Sequence, residues 1–211
     1  MDSTPKIGRL QIFAMPGDTP VKVSAHRYFS AHHMMIGAAR ASLPNTRNPQ
    51  YALVVIAMCA MAAEALANAV GQRIFPEWKD LDTLSPWGKY RVICRELKIP
   101  CNKGEGVWQN LNALLKLRNL IAHAKPEYVE TSSITTVEQY NSPTWFMMHP
   151  FPSSELESVL TYERAKECLD TIDLVLTTVV NALDGDDKEF IAGDIAQHEI
   201  ALAESSGASS I

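Results

Sequence analysis

Cysteine is scarce in this chain: four residues in 211, at positions 59, 94, 101 and 168, with no C-x-x-C pair. That spacing excludes the usual thiolate zinc site and gives no disulfide framework. Cys59 and Cys168 fall in apolar helical patterns, where cysteine acts as a small buried hydrophobe. The chain is therefore expected to be reduced and cytoplasmic. Positive charge is in short supply too. Nineteen Lys and Arg stand against 24 Asp and Glu, a formal net charge of -5, with a pI near 5.7. A general nucleic-acid binder carries a basic footprint, so only a locally basic pocket is left open. No G-x-x-x-x-G-K-[ST] occurs, and Lys103-Gly104-Glu105-Gly106 reads as a turn rather than a phosphate loop.

An uninterrupted apolar run long enough to cross a membrane is missing as well. The longest candidate for a membrane span, Tyr51 to Val70, is broken by Glu64 and Asn68. A central acidic residue costs roughly 2.5–3.5 kcal/mol on insertion scales, and alanine offers little to offset it. The stretch is expected to be a buried bundle helix, with no membrane partner. Met1-Asp2-Ser3-Thr4-Pro5-Lys6 has no apolar h-region of a signal peptide. His26, His32 and His33 offer no i,i+4 ligand pair and have no carboxylate cluster nearby, so they read as solvated or core-edge side chains. No internal repeat is visible.

What remains is ordinary globular composition, 46% hydrophobic and 20% charged, enough for one good-sized core. The pattern predicts an all-α, antiparallel bundle of about five to six helices with one irregular insertion. Residues 1–22 form an extended arm, with a possible short strand at Leu10-Gln11-Ile12-Phe13. Residues 23–184 form the bundle, and 185–211 a C-terminal helix and flexible tail. The first helix is expected from about Ser24 to Ser42, with Tyr28, Phe29, Met35, Ile36 and Ala39 facing a core. Asn48 and Pro49 then read as N-cap and first helical position. They open a helix to about Ile74, whose first half is apolar all round. Ser85-Pro86 opens another, to about Lys98, with Arg91, Arg95 and Lys98 as a solvated or phosphate-guiding face. Ser153 or Ser154, with Glu157, signals a capping box before a helical region ending near Leu183. Lys188 to Ala203 is expected to be a last amphipathic helix. Between Pro126 and Pro152, Ser132 to Val137 favours a strand. The apolar cluster Trp145 to His149 is open to four readings: a lid, a dimer contact, a base-stacking platform or a flap packed on the bundle.

One stretch carries chemistry: Leu117-Arg118-Asn119-Leu120-Ile121-Ala122-His123. Three polar side chains sit inside an apolar helical run that begins near Val107 and stops before Pro126, since Lys125 must leave the helical region ahead of proline. Asn119 and His123 are four apart and share a helix face. Arg118 lies about 100° round from Asn119, with a side chain long enough to curl toward the same place. An ordinary structural reading exists for each. A charged His123 gains about 0.3–1 kcal/mol at the negative end of the helix, Asn119 can cap a neighbouring segment, and Arg118 can pair with Glu64. Glu64 itself follows an apolar run, where a carboxylate needs a partner. Either it points to the bundle edge or caps a structural ion pair, or it pairs with Arg118 and orients the trio.

Arg-Asn-x-x-x-His at the end of an amphipathic helix resembles the signature of the HEPN superfamily. The resemblance includes the apolar run before the motif, the helix-ending Pro126 and the upstream alanine-rich helix with Glu64, and it covers roughly Ala25 to Leu183. It implies a metal-independent endoribonuclease that needs no cofactor. Residue by residue it carries over to Arg118, Asn119 and His123 only, which would be catalytic. Beside them, and apart from the resemblance, Glu64 and Lys125 are candidates for a supporting role, and Lys116 and Trp145 for holding the RNA substrate. One motif supplies one histidine and one arginine, so the resemblance further implies a homodimer with a composite site. A toxin or defence setting with a neutralising antitoxin belongs to the same analogy. A toxin branch of the family has a tyrosine, modified by a nucleotidyltransferase, two residues after the motif histidine. Here that position is Lys125, so the resemblance does not extend to that modification. Two other readings stay open: a non-catalytic HEPN-like module that binds a nucleotide, RNA or protein, and a dimerisation domain using residues 145–149.

Overall fold

A computed structural model of the chain describes residues 21–132, 135–142, 144, 147, 152–193 and 195–202. The chain is an all-α helical bundle, as its periodicity predicts, with a two-stranded ribbon joined to it. Strand β1 is Val21–Tyr28, followed by helices α1 (Ala31–Ser42), α2 (Pro49–Ile74), α3 (Trp78–Leu81), α4 (Pro86–Glu96) and α5 (Gly106–Ala122). Single turns α6 (Val137–Tyr140) and α7 (Glu155–Val159) precede the long α8 (Tyr162–Ala182), then α9 (Gly185–Ala192) and strand β2 (Ile195–Leu202).

Helix α2 is the centre. Ala52, Val55, Ile56, Cys59, Ala63, Leu66, Ala67 and Val70 are buried against α1, α4, α5 and α8. Alanine is why this works, because small side chains let neighbouring helices approach while keeping the best helix propensity. By composition alone α2 is long and apolar enough to cross a membrane, yet half of that window is buried inside the bundle. The apolar cover is incomplete. Tyr51, Val54 and Met61, at i, i+3 and i+10, remain exposed.

The expected caps are present. The Asn48 side chain accepts the Gln50 N–H at 3.0 Å, and Ser85 Oγ accepts the Gly88 N–H at 3.1 Å. Ser154 and Glu157 form the capping box of α7. That helix ends at Val159, and Thr161 caps a separate α8 by accepting the Arg164 N–H at 3.1 Å. Surface ion pairs Arg40–Asp173 and Arg73–Asp187 join α1 to α8 and α2 to α9. Exposed pairs of this kind contribute little.

Four expectations need correcting. The helix predicted from Ser24 begins only at Ala31, because Val21–Tyr28 is a strand paired antiparallel with Ile195–Leu202, Val21 opposite Leu202 and Tyr28 opposite Ile195. The alternation Val21-Lys22-Val23-Ser24 has the strand period of two, and a long-range partner settles it. Phe29, expected in the core, is exposed. The C-terminal helix predicted to Ala203 stops at Ala192, where Gly193 takes an extended conformation and the chain enters β2. Ser132 to Val137 is not a strand where it is described: Thr135 and Thr136 are irregular, and Val137 starts a helical turn capped by Thr136. Leu10 to Phe13, Trp145 and the tail beyond Leu202 lie outside the described residues.

Trp78 closes the lower end of α2. It is buried, stacks on Phe75 at 5.9 Å, and lies so close to Gly71 that a Cβ there would overlap the indole. Gly71→Ala would gain up to about 1 kcal/mol of helix propensity. Overpacking a fixed ring costs about 1–3 kcal/mol. The net expectation is a loss of about 1–2 kcal/mol in denaturant unfolding; a gain would show that Trp78 moves aside freely.

Candidate functional site

Helix α5 carries the polar trio to the edge of the core. Leu111, Leu114 and Leu115 are buried and anchor the helix against α2 and α8, so the next turns inherit a fixed orientation. Arg118 comes out half-buried, and Asn119 is exposed. The helix ends at Ala122, and His123 is its C-cap, its N–H donating to the Asn119 carbonyl at 3.0 Å. The His123 side chain is exposed and has no hydrogen-bond partner among the described residues. Lys125 follows in exposed irregular chain, and Lys116 is exposed on α5, two residues before Arg118 and three before Asn119. Trp145 cannot be placed, since it lies outside the described residues.

The structure brings Glu64 to Arg118. The guanidinium Nη2 lies 3.4 Å from Glu64 Oε2, and Nη1 donates to Asn119 Oδ1 at 3.2 Å. Glu64 therefore does not stand alone at the bundle edge. Its other oxygen, Oε1, is 4.0 Å from Lys89 Nζ. Lys89 was not picked out by sequence reasoning and is the most unusual charge in the molecule: its side chain is 3% exposed. Its ammonium donates to Asp82 Oδ1 at 2.6 Å and to Asn68 Oδ1 at 2.8 Å. Two cations and two carboxylates thus form one balanced network across α2, the α3–α4 connection, α4 and α5. A signal for Lys89 existed. It sits on the same α4 stripe as Tyr90, Ile93 and Cys94, all buried, and a lysine in an apolar stripe needs acceptors.

Tyr90, the next residue, drives its hydroxyl into α2, donating to the Ala63 carbonyl at 2.7 Å. Burial pushes its phenol well above the ordinary value. Trp108 packs beside it and donates from Nε1 to the Pro100 carbonyl at 2.7 Å. These contacts fix α4 and the 97–105 connection against the start of α5.

Alongside Arg118 runs a groove of about 230 Å³, lined by Trp87, Lys103, Asn112, Lys116, Arg118 and Asn119 together with Ser85, Pro86 and Leu115. Among the described residues no carboxylate lines it, a local reversal of the net charge of -5. Lys103 Nζ lies 5.6 Å from the centroid of the Trp87 ring, within cation–π range. A larger hollow of about 390 Å³, between α5 and α8, is lined by Glu167 and Asp170 as well as Arg164. Its acids make it the poorer place for an anion.

Other chemistry is less well served. Cys59, Cys94 and Cys168 are buried, and burial raises all three thiols, Cys168 to about 12. Such thiols stay protonated at neutral pH and make poor nucleophiles. His32 and His33 both direct Nε2 to the Ile191 carbonyl, at 3.2 and 2.9 Å, and so bind α1 to α9. Among the described residues no group of three His, Cys, Asp or Glu is placed to hold a metal ion. Compared with protein-family models, curated proteins and solved structures, the chain matches none.

The Lys89 network makes a testable asymmetry. Asp82→Ala leaves a buried ammonium short of its shortest acceptor and should cost about 1–3 kcal/mol in unfolding free energy. Lys89→Met removes the charge itself, and the carboxylates left behind can reach water, so less than about 1 kcal/mol should be lost. The reverse order would mean that the ammonium is a net stabiliser.

Proposed function

We propose that this chain is a HEPN-type, metal-independent endoribonuclease acting as a cytoplasmic homodimer. The observation that carries the reading is the conjunction at the end of α5: Arg118, oriented by Glu64 and Asn119, opens on a cationic groove one helical turn before the exposed His123. RNA supplies its own nucleophile. The 2′-oxygen attacks the adjacent phosphorus, the P–O5′ bond breaks, and a 2′,3′-cyclic phosphate and a 5′-hydroxyl result. One proton must leave the 2′-hydroxyl and one must reach the 5′-oxygen. Histidine suits both transfers because its unperturbed pKa is about 6.5, and each such group contributes about 10²–10⁴-fold. The planar fork of Arg118 suits the charge that builds on the phosphate oxygens. Asn119 holds the guanidinium and so sets its direction. Lys116 and Lys125 flank the site as cations for the strand, and Trp145 is a candidate for stacking on it.

A single chain offers one His123, whereas the reaction needs a base and an acid. Two chains meeting at their α5 ends would supply both. The setting in this reading is a toxin or defence system held in check by a protein antitoxin. One observation favours a second reading: Arg118 already has a carboxylate and an amide as partners, which suits a structural ion pair in a non-catalytic module that binds a nucleotide, RNA or protein.

The test is cleavage of a mixed RNA substrate in excess EDTA by wild type and His123→Ala, with end-group analysis. Wild type alone should cleave, leaving cyclic phosphate ends, and the exposed substitution should change stability by no more than ~1 kcal/mol. Absence of cleavage by a folded wild-type dimer would move the assignment to the binding module. Specific activity should also fall on dilution below the dimer dissociation constant; a constant value in a proven monomer would sink the composite site.

A further inference from the structure

We infer that the groove beside Arg118 is a single-nucleotide subsite, in which a base of an RNA strand stacks on the Trp87 indole while Lys103 and Lys116 take its phosphates. This rests on the ribonuclease reading for its biological sense, but its binding chemistry stands on separate observations. The groove shares Arg118 and Asn119 with the proposed catalytic site, so whatever occupies it adjoins that site. Among the described residues Trp87 is the one aromatic side chain in its lining, half-buried and packed on the core. A ring fixed in this way loses little freedom on stacking, and stacking tolerates any base because each has a π face.

The charges agree. Lys103, Lys116 and Arg118 line the groove, and among the described residues no acid does. Lys103 lies over the Trp87 ring from an exposed turn. An incoming strand can draw that ammonium onto a phosphate while its base takes the vacated ring, so one cation–π contact is exchanged for a stack and an ion pair. Asn112 adds an amide that can both donate and accept at a base edge. Size limits the occupancy: about 230 Å³ is below the roughly 300–1,000 Å³ of pockets that enclose drug-sized ligands, which suits one base in the groove with its phosphates at the lysines on the rim. Position sets its neighbour. From Asn112 to Asn119 is about 10 Å along the axis of α5, and His123 lies about 6 Å further. The nucleotide on Trp87 is therefore the one next to the phosphate that Arg118 and His123 would address.

The experiment uses the full chain carrying His123→Ala, which in this reading binds RNA without cutting it. It is titrated with a fluorescent five-nucleotide single-stranded RNA and followed by anisotropy over a range of salt. Trp87→Leu in that background should weaken binding roughly 5- to 100-fold, the effect of one lost stack, while Trp87→Phe keeps a ring and should stay within about threefold. Lys103→Glu, on an exposed turn where folding is not at stake, should also weaken binding. It should lower the slope of log affinity against log salt by about 0.7. Affinities unchanged in Trp87→Leu and Lys103→Glu would overturn the subsite even if wild type cleaves RNA in EDTA. Loss of binding in both variants, with no cleavage by wild type, would uphold the subsite and remove the ribonuclease reading. A poly-glutamate peptide that binds, and is lost in the same variants, while the RNA does not bind, would assign the groove to an acidic protein segment instead.

Discussion

A lysine ammonium shut away from water must find acceptors, and this fold is arranged around where Lys89 finds them. Asp82 and Asn68 take its hydrogens at 2.6 and 2.8 Å, and Glu64 stands at 4.0 Å. Each acceptor comes from a different point in the chain: the turn after α3, and two successive turns of α2. The ammonium therefore sets the spacing of α4 against α2, with Tyr90 repeating the link one residue on. Replacing such a cluster by apolar packing is often neutral for stability. Its effect here is positional. Glu64 is shared between the two cations, one of its oxygens facing Lys89 and the other Arg118.

That sharing transmits geometry from the core to the end of α5. Arg118 is aimed by Glu64 and Asn119 rather than left to sweep through solvent. Three buried leucines hold the turns beneath it. The groove beside it is basic while the chain as a whole is acidic. Such a contrast concentrates anions at one place and repels them elsewhere.

The parts legible in the sequence were those written in local grammar. Asn48-Pro49, Ser85-Pro86 and Ser154-x-x-Glu157 announce helix starts because the side chain that caps is next to the amides it satisfies. The Glu64–Arg118 contact was one of the alternatives the residues left open; the sequence pattern leaned to an edge carboxylate or a structural ion pair, and only the packing of α2 against α5 sets the partner. Lys89 and Trp87 escaped notice for a different reason. Their partners lie 7 to 25 positions away, outside α4, and nothing in the flanking residues names those partners. The β1–β2 ribbon escaped in the same way. Ala196, His198 and Glu199 have no strand preference of their own, and only Val21–Tyr28, at the far end of the chain, makes them one.

The ribbon has a mechanical consequence. Because its strands are antiparallel and Val21 faces Leu202, the described chain enters and leaves at one point. Tension between anything attached before Val21 and anything attached after Leu202 meets the ribbon in unzipping geometry, one residue pair at a time, which is the softest way to load a ladder of hydrogen bonds. Only after Tyr28 and Ile195 part does the pull reach His32 and His33, which grip the Ile191 carbonyl from α1. The ribbon is thus a sacrificial clasp. It yields at low force and shields the bundle, and with it the Lys89 network, from loads arriving through the two ends.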